Sequence, residues 1–214
     1  MKYNYIIIKN SINKKYIKYA LIFLIVFSFN LYYEVDSTEV IEFKTLLNIF
    51  GYHGLNEIGI LALIYKIINI LFIIFCTIYI YTYDITYNSC EVLIRFGKIN
   101  WSFNRTIITM SLISISKFIS YIIFAFFVGL DNVMIVLKDL LFTYLLIISL
   151  IGYLNIKLNN NKLNIYYMVI FAALSLLYLM YKNLMNINLI FYIVTLLILI
   201  ILKELSLRYE SQKD

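Results

Sequence analysis

Apolar residues in this chain neither alternate nor recur as narrow stripes; they fill unbroken runs separated by short polar stretches. The runs are 17–33, 60–83, 107–130, 133–156, 163–181 and 187–202. Backbone inside hydrocarbon must satisfy its own hydrogen bonds, and about 20 apolar residues of helix cross a bilayer, so each run predicts a transmembrane helix. The expected fold class is all-α, a polytopic membrane helix bundle of about six transmembrane helices, with one transmembrane domain over 1–214.

Composition agrees with this reading. With 63% hydrophobic and 14% charged residues, a soluble core has no way to hide the apolar surface. The first run follows several lysines, as the core of a secretory signal would. No small-residue cleavage pattern comes after it, and Phe29, Leu31, Tyr32 and Tyr33 lead directly into Glu34, so an uncleaved first helix is expected. The 18 Lys and Arg set the orientation. Lys14, Lys15, Lys18, Arg95, Lys98, Arg105, Lys157, Lys162, Lys203 and Arg208 share one side, whereas the other side holds Lys44, Lys138 and Lys182. Basic connections are retained inside, so both termini are expected to be cytoplasmic, in a multi-pass protein of the cell membrane.

Two connections carry more than polarity. In the outer loop, 34–59, Thr38 can cap a short helix on which Val40, Phe43, Leu47 and Phe50 recur at helical spacing before Gly51 and Gly54 end it, which reads as a lid over the helix ends. The cytoplasmic loop, 84–105, is partly apolar. Asn88 and Glu91 form a capping-box pattern, Val92, Leu93 and Phe96 make one apolar face, and Gly97 can end the turn. Lys98, Trp101, Phe103 and Arg105 then mix basic groups with interfacial aromatics. A short amphipathic helix between membrane helices two and three is expected, lying on the inner leaflet or docking into another protein.

This loop and its position resemble those of permease subunits of ATP-binding-cassette exporters, in the second exporter class with six helices per half. The basic segment Tyr3 to Lys15 matches the element that precedes helix one in that family. Glu91, Arg95 and Arg105, with Phe96 and Trp101 between and beside them, fall where its coupling helix lies. The resemblance implies a permease that works as a homodimer or heterodimer and draws energy from a separate cytoplasmic ATPase. The chain has no GxxxxGK[ST] of its own, since Gly97-Lys98 is followed by Ile99. Lys182 to Asn186 is too short for the re-entrant hairpin that class often carries before helix six. The expected cargo is an amphipathic peptide or lipid-like toxin, because a lightly polar bundle has few groups for recognising a hydrophilic solute. Two other readings stay open: a non-transporting membrane immunity or assembly protein, and the substrate-binding subunit of a vitamin importer.

Few residues invite other chemistry. His53 is the single histidine, and Cys76 and Cys90 have neither a CxxC nor a nearby His, so no metal site, cofactor or catalytic centre is expected. The chain is not expected to be an enzyme or to bind nucleic acid; lipid is its surroundings. Charged residues inside the runs are the remaining candidates. Lys117 is expected to share a helical face with Ser111, Ser114 and Tyr121, at three- and four-residue spacing, and Lys66 and Asp139 lie near helix ends. The plainer expectation is that both lysines snorkel to headgroups and that Lys138 and Asp139 form an interfacial pair in water; an inward Asp139 pairing with Lys66 or Lys117 is the alternative.

Overall fold

The computed structural model describes residues 14–36, 60–96, 98–128, 133–157, 163–180 and 187–211. The described residues form six α-helices and no strands: α1 (Lys14–Asp36), α2 (Ile60–Phe96), α3 (Lys98–Val128), α4 (Val133–Lys157), α5 (Leu163–Met180) and α6 (Leu189–Ser211). Four of them carry stretches long and apolar enough to cross a membrane, at Lys15–Tyr32, Leu63–Tyr81, Asn100–Phe126 and Val133–Leu154. A shorter apolar stretch, Tyr166–Leu177, lies in α5. The expected outer-loop helix, His53 and the basic segment before Lys14 lie outside the described residues.

Each apolar run seeds a helix, but several helices outlast their runs. Hydropathy marks where a helix suits lipid; it does not mark where hydrogen bonding stops. The largest difference is at 84–105, where no separate short helix forms. Between Tyr83 and Phe96 the sequence offers neither Gly nor Pro to break the ladder, so α2 runs on to Phe96. From Lys98 onward the rest of the expected loop is the first part of α3. Likewise α6 continues past Leu202 to Ser211.

Tyr81 Oη donates to Ser102 Oγ at 3.1 Å and Arg105 Nη1 donates to the Ile80 carbonyl at 3.2 Å, so these parts of α2 and α3 lie side by side.

Packing centres on α4, which touches α2, α3, α5 and α6, while α1 leans on α2 and α3. Along α4 an unbroken block from Leu145 to Gly152 is buried. Gly152 permits one close approach: a β-carbon there would sit 2.6 Å from Cε1 and 2.8 Å from Cγ of Tyr167, which lies flat against the α4 backbone. Side chains are distributed as a lipid solvent demands. Phe118, Ile122 and Phe126 of α3 and Ile190, Val194 and Leu197 of α6 point outward, while Asn69, Thr77, Arg105, Ser116, Ser120 and Thr143 are buried. Many hydroxyls return to the carbonyl one turn back, as Thr109 does to Arg105 and Ser114 to Met110, which satisfies them without a partner helix. A helical bundle with an apolar exterior and polar groups enclosed in its core is a membrane-embedded one.

Candidate functional site

α3 carries two buried polar clusters, one in its middle-to-late turns and one near its Lys98 end. The first is built on Lys117. Ile113, Lys117, Tyr121 and Phe124 recur at intervals of three and four residues, and all are buried. On α4 the matching stripe is Ile135, Asp139, Phe142 and Leu146, also buried. Where the two stripes meet, Lys117 Nζ lies 2.9 Å from Asp139 Oδ2 and Tyr121 Oη donates to the same oxygen at 2.7 Å. The ammonium also stands 5.8 Å from the centroid of the Phe23 ring, a cation–π arrangement contributed by α1. Lys117 is 0% exposed and Asp139 1%.

Aromatic rings close this cluster. Phe23 stacks on Phe72 at 4.7 Å and lies 6.2 Å from Tyr65, which in turn faces Phe27 at 5.6 Å. On the α6 side Phe142 meets Tyr192 edge-on at 6.4 Å. Ser114 Oγ and Tyr144 Oη, 2.8 Å apart, pin α3 to α4 one turn away, and Tyr16 of α1 donates to the Leu112 carbonyl at 2.6 Å and lies 2.8 Å from Ser116 Oγ. The result is a carboxylate and an ammonium enclosed by rings, inside the apolar stretches of both helices.

These positions correct several expectations. Lys117 does not snorkel: its head is covered and its partner is the carboxylate of Asp139, so Asp139 belongs to an interior pair rather than to an interfacial one with Lys138. Lys66 is also fully covered, at 0% exposure, and so does not reach a surface. Ser111 departs from the face it was expected to share with Lys117; it is exposed and bonds the Ile107 carbonyl at 2.8 Å. The six-residue step from 111 to 117 turns a helix by about 240°, too far for a common face.

The second cluster ties α2, α3 and α6. Besides the Tyr81–Ser102 and Arg105–Ile80 bonds, Tyr81 meets Trp101 edge-on at 5.2 Å, and Lys203 Nζ donates to Thr106 Oγ1 at 2.8 Å while lying 3.0 Å from Glu204 Oε1. Trp101 and Arg105, expected on a docking surface, are thus interior residues at 3% and 0% exposure. Of the other docking candidates, Glu91, Arg95 and Phe96 fall on the last turns of α2; their side chains lie outside the described residues. Sequence reasoning missed Phe23, Tyr81 and the inward turn of Lys203. A signal for Lys203 existed, since Tyr192, Leu199 and Lys203 follow one stripe at steps of seven and four, and all three are buried.

Among the described residues no group of three or more His, Cys, Asp or Glu gathers as a metal site would. Fold and interior together define a class: a helical membrane-embedded bundle with a charged, aromatic-lined centre. No protein family, curated protein or solved structure matches the chain.

Proposed function

We propose that the chain is the membrane subunit of a transporter: six helices cross the cell membrane with both termini cytoplasmic, and a separate ATPase drives export of an amphipathic molecule. The observation that carries this reading is the Lys117–Asp139–Tyr121 cluster. Replacing a buried ion pair by apolar residues of similar volume is often neutral or stabilising by about 1–4 kcal/mol, so stability alone does not account for charges in a lipid-bounded interior. Ionisable groups held there line paths for substrates or ions as a rule.

On this reading the Lys98 end of α3 is cytoplasmic, and the last part of α2, with Glu91, Arg95 and Phe96, is the surface offered to the ATPase. Trp101 and Arg105 then act behind it, fastening α2 to α3 so that a push on the end of α2 moves the bundle as a unit. Tagged chain, purified after mild cross-linking in its native membrane, should retain an ATPase encoded beside it, and Glu91→Gln with Arg95→Gln should release that partner. Absence of any ATPase from the cross-linked material would sink the transporter reading. A non-transporting immunity or assembly protein would keep its activity with both substitutions.

A further inference from the structure

We propose that Asp139, with the Tyr121 hydroxyl and the Phe23 ring, is a recognition site for the ammonium group of an amphipathic cation, and that Lys117 occupies it while no cargo is bound. The inference deepens the transporter reading by naming the charge of the cargo and the place that receives it. Lys117 shows what the cage accepts. Its ammonium meets a carboxylate oxygen at 2.9 Å and an aromatic face at 5.8 Å, the two attractions that select an organic cation in a dry site. The tyrosine hydroxyl at 2.7 Å on the same Asp139 oxygen orients the carboxylate. Rings from α1 and α2, Phe23, Phe72, Tyr65 and Phe27, continue the apolar wall away from the charge, as a ligand with a cationic head and an oily body requires.

A tethered lysine solves a problem that an empty cage would create. Without a counter-charge the buried carboxylate would be uncompensated at a cost of several kcal/mol, so the resting bundle needs a cation in place. Exchange of one ammonium for another leaves the net charge of the interior unchanged. The released lysine has a four-carbon stem and, with Phe23 beneath it, a path over aromatic faces rather than through bare hydrocarbon.

The test uses full-length protein in detergent and n-butylammonium, which copies the lysine side chain, with n-butanol as the uncharged control. Lys117→Ala should lose thermal stability and regain it on addition of n-butylammonium but not of n-butanol. The double variant Lys117→Ala/Asp139→Asn, which has no charge at this site and needs no counter-ion there, should show no shift. Unmodified protein should bind at least ten times more weakly than Lys117→Ala, because its own lysine competes. Equal shifts in the single and double variants, or none in either, would overturn the cage. Binding by Lys117→Ala with none by the unmodified protein at concentrations a thousand times higher would show a permanent staple and overturn the exchange. These readouts do not involve an ATPase, so the cage and the transporter reading stand or fall separately.

Discussion

Asp139→Leu is the most informative single substitution in this bundle. It removes the carboxylate that Lys117 and Tyr121 share and leaves a buried ammonium with only the Phe23 ring among the contacts described above. Breaking a buried pair by deleting one partner typically costs about 3–5 kcal/mol. The surviving cation–π contact offsets about 1–2 kcal/mol of that when it is dry. The tyrosine hydroxyl, losing its acceptor, adds about 1–2 kcal/mol to the loss. The last two contributions cancel, so the expected net destabilisation is roughly 4 kcal/mol. Lys117→Met should cost somewhat less, about 2–4 kcal/mol, because the remaining carboxylate keeps the Tyr121 hydrogen bond. The double variant Lys117→Met/Asp139→Leu should return to within about 2 kcal/mol of the parent, since no member of the pair is left alone and the loss that remains is the acceptor of the Tyr121 hydroxyl. Unfolding with sodium dodecyl sulfate in mixed micelles, followed by helical circular dichroism, gives all three values. If the double variant is as unstable as the sum of the singles, the two residues do not form a pair and the site is wrongly drawn.

Other parts of the structure make their own demands. Gly152→Ala forces a methyl group into the Tyr167 ring near its root, where rotation about the side chain gives little relief, and should destabilise the α4–α5 contact by about 1–3 kcal/mol; Tyr167→Ala in the same background should recover part of that loss. Trp101 is the only tryptophan and is 3% exposed against Tyr81, so its emission should be that of an apolar site and should resist iodide. Ready quenching in the folded protein would contradict the second cluster. Cys76 is completely buried, so maleimide should leave it unmodified until the bundle is unfolded. Thr106→Val removes the acceptor for Lys203 and should cost about 1–2 kcal/mol in the same detergent titration, with Thr195→Val, which loses only bonds to its own helix, costing less.

The helices themselves were legible because apolar runs of this length have no other way to satisfy their backbone in lipid: all six runs lie mainly in helices, four of which carry stretches long and apolar enough to cross a membrane. Their ends were harder to read. The stretch Asp84 to Arg105 has the polarity of a connection, yet the absence of Gly or Pro before Gly97 lets the ladder of α2 persist, and the decision rests on local backbone chemistry rather than on hydropathy. Which residues cap the α2–α3 contact was not legible at all. Trp101 and Arg105 look like interfacial anchors in sequence, and only the antiparallel packing of α3 on α2 brings them to Tyr81 and Ile80.

The interior site shows where the reading of a membrane sequence gains and loses its footing. A helix that is apolar all round gives no stripe to say which side faces lipid, so Ile115 and Ile113 are indistinguishable in sequence although one is 54% exposed and the other 0%. Polar residues break that symmetry, but unequally. Hydroxyls are ambiguous, because Ser111 and Thr195 face outward while satisfied by their own backbone, and Ser116 and Thr143 face inward. Lys66, Asn69, Lys117 and Asp139 carry groups too polar to face lipid, and all four are buried. The reach of the Lys117 stem matters less than its partner: the buried Asp139 of the next helix needs a cation far more than a lysine needs water. In such a bundle the charged residues of opposite sign on consecutive helices are the first pair to join, before any apolar contact is assigned.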